Sequence, residues 1–329
     1  MAADGETVQL ASIGLGWWGN MLATAASQSA KVSAAYARNT EARAAFAEKH
    51  GARAAADLDE IWADPDIDGV IIATPHTARS ALIAAASEAG KHVFVEKPLA
   101  LTAGEARAAL AAVEKAGVVL QVGHNKRRQS GYRAIKAALD AGELGQIQHI
   151  ETNISAPAAF NPQLAEWRKQ REDLPAGGMT PLGVHMIDTI HYLGGPIKRV
   201  MAMSRRVAQK LPVDDVTTML FELDSGALAY LGTLLASGPV NTVVVHGTDG
   251  TAYAEQDGTQ LSRQKRGETD RQRIHLEPID TLADEMAEFV DSIRGGRTPE
   301  TGGSEALAVV EVLDAVVESA ATGRAIDVR

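Results

Sequence analysis

Gly14-Leu15-Gly16-Trp17-Trp18-Gly19 is a G-x-G-x-x-G run set directly after a β-like stretch, Thr7–Ile13, and at the opening of a helical one, Trp18–Gln28. Glycines at these spacings let the backbone turn tightly from strand to helix. They also let a pyrophosphate approach the helix N-terminus, where free N–H groups and positive potential favour an anion. Alone the pattern is weak; at the first strand–helix junction of a βαβ series it is much stronger.

Such a series follows. Lys31–Tyr36 reads as a strand, Glu41–His50 as a helix, and Gly69–Ala73 as a continuous apolar run of the kind buried on both faces of a parallel sheet. Ala78–Ala89 reads as a helix ending at Gly90, His92–Val95 as a strand, Ala103–Ala116 as a helix ending at Gly117, and Val118–Val122 as a strand. The pattern changes near Gly123. Tyr132–Ala141 is helical, Ile147–Ile154 strand-like, and a polar, Pro-containing loop runs to about Gly178. A helix is expected from Pro181 to about Leu193, with Thr180 as N-cap and the proline in the first helical position. Lys198–Leu261 reads as successive strands with hairpin signals at Asp224-Ser225-Gly226 and Asp249-Gly250. Two helices, Asp280–Ile293 and Ser304–Thr322, close the chain. The expected division is an α/β domain over residues 1–123 and an α+β domain with an open, mainly antiparallel sheet over 124–329, the closing helices being free to pack back on the first.

Length and composition agree with this. At roughly 150 residues per domain, 329 residues suggest two domains. With 45% hydrophobic but 4% aromatic residues, the core must come mainly from Ala, Val, Ile and Leu. The chain has no cysteine, which excludes disulfides, thiolate catalysis and Cys-type metal sites. Its 42 acidic against 32 basic residues, a net charge of −10, disfavour nucleic acid as a partner. Met1–Thr7 has no basic-then-apolar signal pattern, and no apolar run approaches the ~20 residues of a membrane span. The expectation is a cytoplasmic protein without membrane or nucleic-acid partners.

Chemistry-bearing residues gather at the ends of the expected parallel strands, where ligands of doubly wound sheets bind. After the second strand, Tyr36-Ala37-Arg38-Asn39-Thr40 lacks the acidic residue that usually accepts ribose hydroxyls. Arg38 is suited to a 2′-phosphate instead, with Asn39 and Thr40 as added donors and Arg43 as a second cation one turn on. This favours NADP over NAD; an Arg38 solvated in its loop or stacked on adenine allows either. After the third strand, Thr74, Pro75 and His76 are candidate cofactor contacts or simply a turn, and Arg79 reads as a solvated helix-face residue. After the fourth, Glu96-Lys97-Pro98 places a lysine where it can act as general acid/base, although a lone lysine after a strand is commonly just a surface residue.

Gly14–Gly19, Ala73–His76 and Gly90–Val93 with Glu96–Leu99 together resemble the glucose-fructose oxidoreductase / inositol dehydrogenase (Gfo/Idh/MocA) family. The resemblance continues through Val122–Arg128, Gly142–Gly145 and Gly177–Gly195 and covers essentially the whole chain. It implies a Rossmann domain binding NADP or NAD, and a second domain that binds substrate and whose sheet face serves as an oligomer interface, giving a homodimer or homotetramer. It implies a small-molecule substrate, a sugar, polyol or related ring alcohol, and a nicotinamide faced by Lys97 and His185 across a cleft. Gly14, Gly16, Trp17, Trp18, Gly19, Glu96, Lys97 and Asn125 become cofactor contacts. Lys97, Asn125, Arg127, Trp167, Arg168, His185 and Asp188 become substrate contacts.

One motif departs from the family. Where Asp-x-Gly-x-His-x-x-Asp is usual, this chain has Pro181-Leu182-Gly183-Val184-His185-Met186-Ile187-Asp188. The first carboxylate, expected one turn before His185 on the same helix face, is absent, so an Asp–His relay is not available and the chemistry falls on Lys97 and His185. His185, Asp188 and Tyr192 share a face, and Asp188 serves equally well as a structural partner. No third ligand makes His185 and Asp188 a metal pair. Lys126-Arg127-Arg128 is either a ligand-facing basic run or a solvated one. A non-catalytic ligand sensor, and a lyase or hydrolase that cycles its cofactor, are the alternative functions.

Overall fold

The computed structural model describes residues 7–328; the opening stretch before Thr7 lies outside the described residues. The chain forms two compact units, Met1–His124 with Asp280–Leu307, and Asn125–Ile279 with Ala308–Arg329. Asp280–Leu307 belongs to the first unit, while Ala308 onward belongs to the second.

The first unit is built from β1 (Gln9–Ile13), α1 (Trp17–Ala26), β2 (Lys31–Tyr36), α2 (Thr40–His50), β3 (Arg53–Ala54), α3 (Asp59–Trp62), β4 (Gly69–Ile72), α4 (Arg79–Glu88), β5 (His92–Val95), α5 (Ala103–Ala116) and β6 (Leu120–Val122). All strand pairs are parallel, in the order β3-β2-β1-β4-β5-β6. The order reverses between β1 and β4, which brings the loop after β1 beside the loop after β4, with the loop after β5 next in line. Every residue of β4 is buried, as its unbroken apolar run requires. β3 and α3 are too short to leave a periodic signal and have no counterpart in the sequence reading.

The helix after Asp280 joins this unit because of its apolar stripe. Leu282, Met286, Phe289, Val290 and Ile293 recur at helical spacing and pack with Leu10, Ile71 and Phe94 in one core. The Phe94 and Phe289 rings meet edge-on at 5.9 Å. Burying each such side chain contributes roughly 1.5–3 kcal/mol, which outweighs nearness in sequence. The turn beyond the helix blunts the sheet edge: Val122 N–H donates to the Thr301 carbonyl at 2.9 Å, and the Thr301 hydroxyl donates to the Val122 carbonyl at 2.8 Å.

The second unit holds α6 (Ser130–Asp140), β7 (Ile147–Ser155), α7 (Gly183–Gly194), β8 (Ile197–Arg205), β9 (Val216–Leu223), β10 (Leu228–Leu234), β11 (Val240–Gly247), β12 (Gly250–Glu255), β13 (Gln260–Lys265) and β14 (Gln272–Ile274). In chain order, α8 (Thr281–Gly295) is the helix already placed in the first unit; α9 (Gly303–Thr322) then carries the chain into the second, which ends with β15 (Ile326–Asp327). The nine strands run β14-β13-β12-β11-β7-β10-β9-β8-β15. Only β7 and β10 pair in parallel, so the sheet is the expected open, mainly antiparallel one. α6, α7 and residues 309–316 of α9 pack on one face. The other face leaves Met201, Met203, Leu220 and Leu228 exposed.

α7 begins two residues later than expected. Pro181 lies in a buried turn, Leu182 is the N-cap, and the Thr180 side chain caps nothing. Gly183 opens the helix where a side chain has no room: a Cβ there would lie 2.3 Å from Met179 Sδ. Position 181 lies outside α7.

Candidate active site

In the first unit the fingerprint turn is shaped by its glycines. Gly14 has φ +93°, and a Cβ there would stand 2.6 Å from the Ala73 carbonyl oxygen. A Cβ on Gly19 would fall 2.0 Å from the Gly14 carbonyl oxygen, so α1 presses directly on the turn. Gly16 differs: a Cβ would meet nothing within 4 Å, and no side chain caps the first turn of α1. Open space over free N–H groups at a helix N-terminus is the cradle a dinucleotide pyrophosphate fills, so these residues fit NAD(P). Gly14 N–H donates to the Tyr36 carbonyl at 3.0 Å, tying the turn to the end of β2. Trp17 is 73% exposed beside it, while Trp18 is half-buried against the unit's core.

The residues expected to read the ribose separate. Arg38 is exposed and makes no side-chain hydrogen bond or ion pair among the described residues. Asn39, Thr40 and Arg43 each have a place in the local structure. Asn39 is the N-cap of α2, its Oδ1 accepting from Ala42 N–H at 2.7 Å, and Thr40 is the first helical residue. Arg43 turns back onto the chain: Nη1 donates to the carbonyls of Ala55 at 2.5 Å and Ala56 at 2.6 Å, with the guanidinium 5.5 Å from the Tyr36 ring centroid. Two backbone carbonyls hold this cation, leaving Arg38 as the cation at the end of β2.

At the ends of β4 and β5, Thr74 and Pro75 form the turn and His76 is buried at the start of a single 3₁₀ turn. Lys97 is half-buried, between Glu96 and a cis Lys97–Pro98 peptide. Glu96, expected as a cofactor contact, is 3% exposed, and its carboxyl oxygen lies 2.8 Å from where a Cβ on Gly123 would be. Burial pushes the Glu96 carboxyl above the usual carboxylate range, while Lys97, the Trp18 indole and Arg79 pull it back. It is a buried scaffold for the turn that carries Lys97.

The residue that sequence reasoning missed here is Arg79. It is 4% exposed, not a solvated face residue. Nε and Nη2 donate to the Thr74 carbonyl at 3.2 and 3.0 Å, and Nη1 to the carbonyls of Glu96 at 2.6 Å and Pro98 at 2.7 Å. An arginine in the first turn of a helix carries no local signal for this; its partners are backbone oxygens on two other loops.

In the second unit, Arg127 and Asp188, expected as substrate contacts, are each other's partners. Both are buried and meet in a two-pronged pair. Lys126 pairs with Asp257, which also accepts from Asn241, and Arg128 is buried, so Lys126–Arg128 is not a solvated run. Arg127 stands over the Tyr192 ring at 5.1 Å, bringing Asp188 and Tyr192 together as their shared face suggests. The same α7 carries His185, buried, with its carbonyl accepting from Thr189 Oγ1 at 2.9 Å. His191, one turn beyond Asp188, has its pKa lowered to about 4, mainly by burial; Asp188 opposes this and Arg127 adds to it. Asn125 is buried in a short 3₁₀ turn. Trp167 and Arg168 lie on another 3₁₀ turn, the guanidinium 4.6 Å from the indole centroid. Among the described residues no three His, Asp or Glu side chains cluster as a metal site needs, and no helix is long and apolar enough to cross a membrane.

Known proteins resemble this chain in sequence and fold. The oxidoreductase family with an NAD-binding Rossmann fold matches residues 8–124, and the GFO/IDH/MocA C-terminal domain matches residues 132–253. 1,5-Anhydro-D-fructose reductase of Ensifer adhaerens is 29% identical over 300 residues, spanning 88% of this chain and 89% of that protein. The NADP(+)-dependent scyllo-inositol 2-dehydrogenase of Bacillus subtilis strain 168 is 34% identical over 199 residues, 59% of this chain and 53% of that one. The solved structure of levoglucosan dehydrogenase in complex with NADH and levoglucosan superposes with a TM-score of 0.91 at 25% identity, over 98% of this chain and 100% of that one.

Proposed function

Since the chain belongs to the Gfo/Idh/MocA family of oxidoreductases, we propose that it is an NADP-preferring enzyme interconverting a secondary alcohol and a ketone on a sugar-like or cyclic polyol substrate. The observation that carries the reading is Lys97, a half-buried amine at the carboxyl end of β5, one strand from the reversal of the sheet order. There it can give or take the proton of the reacting hydroxyl.

A bound nicotinamide supplies or takes up the hydride. This chain's residues bind and move the proton. Gly16 and Gly19 would present backbone N–H groups to the pyrophosphate on a turn that Gly14 shapes, with Trp17 beside them; Thr74, Pro75 and His76 would form the adjoining wall. Lys97 holds the substrate oxygen and exchanges its proton. From the second unit we assign His185 to orienting the substrate, with Asn125, Trp167 and Arg168 as further polar and stacking contacts. NADP is favoured by Arg38, whose exposed guanidinium stands where NAD-preferring sites carry a carboxylate. The named relatives include one for NADP(+) and one solved with NADH, and in this reading Arg38 sets the preference.

The exposed apolar row on the sheet of the second unit supports a homodimer or homotetramer formed by packing that face.

The test is a panel of ketoses, aldoses, inositols and cyclic diols followed at the NADPH absorbance. Turnover with stoichiometric change in NADPH supports the reading. Tight NADPH binding without turnover of any member points to a ligand sensor. Substrate conversion with no net NADPH change points to a cofactor-cycling lyase or hydrolase.

A further inference from the structure

We propose that Arg79 is a positioning residue for Lys97, holding the Glu96–Pro98 turn in register with the loop that lies against the fingerprint glycines. The proposal rests on the assignment of Lys97 above. Nη1 donates to the carbonyls of the residues before and after Lys97, Glu96 at 2.6 Å and Pro98 at 2.7 Å, so one nitrogen holds the Glu96–Lys97 peptide and the Pro98–Leu99 peptide. Nε and Nη2 hold the Thr74 carbonyl. Thr74 in turn adjoins Ala73, whose carbonyl lies 2.6 Å from the Cβ position of Gly14. One planar fork therefore connects the phosphate-binding turn, the β4 loop and the lysine turn within a single unit.

The choice of arginine follows from the geometry. Three carbonyls on two loops converge on a guanidinium that is nearly sealed from water, and removing it takes a charged donor from each. A lysine ammonium is a single point and cannot span both loops in the same plane. Glu96, one residue from Lys97, feels both cations, which places the Arg79 charge within electrostatic reach of the lysine turn. Since displacing a reacting group by about 1 Å can cost on the order of 10²-fold in rate, a residue that only fixes this turn governs catalysis without touching substrate.

The test has an arm that needs neither cofactor nor turnover. In cofactor-free protein, Lys97 is trace-acetylated and its peptide quantified by mass spectrometry, with exposed Lys115 as the internal reference. Arg79→Ala is expected to speed Lys97 labelling at least about 3-fold relative to Lys115, because the turn opens. Arg79→Lys should fall between Arg79→Ala and wild type. In the second arm, Arg79→Ala lowers kcat at least about 10-fold, while the Kd for NADPH changes by less than about 3-fold. A merely structural role would lower melting temperature and leave both the labelling ratio and kcat of the folded fraction unchanged; that result overturns the proposal. Should Arg79→Ala fail to yield soluble protein, Arg79→Lys decides, and wild-type labelling and kcat in that variant overturn it equally. Failure of wild type on every substrate would sink the functional reading, while the labelling arm would still decide this one.

Discussion

Arg127 and Asp188, 61 residues apart in sequence, meet inside the second unit as a two-pronged ion pair: Nε to Oδ2 at 3.0 Å and Nη2 to Oδ1 at 2.5 Å. Asp188 is 1% exposed, and the Tyr192 ring lies under the guanidinium. The pair fastens the short turn that begins at Asn125 to α7, the helix that carries His185. It is a brace for site residues, and each partner is occupied by the other.

Breaking one half of this pair should be costly. Asp188→Ala leaves a buried guanidinium without its carboxylate and is expected to lower unfolding free energy by roughly 3–5 kcal/mol in urea titrations. The double variant Arg127→Met with Asp188→Leu should cost less than the sum of the single changes, since no charge is stranded. Additive losses would show that the two residues do not act as a unit.

Cofactor preference should reverse at one position. A charge-assisted pair with a phosphate is typically worth ~1.5–3 kcal/mol, so wild type should bind NADP about 10-fold or more tighter than NAD, and Arg38→Asp should invert the order. Arg43→Ala should not reproduce the inversion, because its guanidinium already holds the Ala55 and Ala56 carbonyls. Calorimetric titration with both nucleotides reads all three proteins. Equal or tighter NAD binding by wild type would end this account of the β2 loop.

Replacing the proton carrier should separate binding from chemistry. Lys97→Met is expected to keep nucleotide affinity, since the fingerprint turn is untouched, and to lower kcat on the order of 10²–10⁴-fold. His185→Ala should also lower kcat, by less if it only orients substrate. Near wild-type turnover by Lys97→Met on an identified substrate removes the assigned mechanism.

Stability should fall on the acid side through His191. Its folded-state pKa is depressed from an ordinary 6.5 to about 4, chiefly by burial, so the folded protein resists its protonation. The sign follows from linkage: this contribution is complete above pH 6.5 and is lost as pH falls from 6.5 through about 4, where the unfolded chain binds the proton first. Melting temperature measured from pH 7 to pH 4 should drop more steeply for wild type than for His191→Gln. Parallel curves would mean that His191 is not the group responsible.

Assembly should depend on the outer sheet face. Leu220 is 56% exposed and pairs across strands with Met201 of β8 and Tyr230 of β10. Leu220→Glu sets a charge in the middle of that row and should shift the light-scattering mass from oligomer to monomer at micromolar concentration. A wild-type monomer under the same conditions would already refute sheet-face assembly.

Much of this protein is readable from local pattern alone. The G-x-G-x-x-G run, the unbroken apolar stretch of β4 and the glycine-ended helices each state their conformation within a few residues, because backbone turning and burial on two faces constrain nearby positions directly. The parallel first unit and the antiparallel sheet after it follow from such signals, as do the loop ends where Lys97 and Arg38 stand. What depends on distant partners is silent in sequence. Arg79, Arg43, Asp188 and Glu96 look like ordinary polar residues until the fold brings carbonyls, a guanidinium or a glycine against them. α8 looks like a neighbour of the strands that precede it until its apolar stripe meets Leu10, Ile71 and Phe94. Pro181 reads as a helix start until the fold sets it in a buried turn before α7. A buried charge or an apolar stripe goes where its desolvation is best compensated. That balance is struck across the whole folded unit, so tertiary structure alone decided which of these side chains brace the fold.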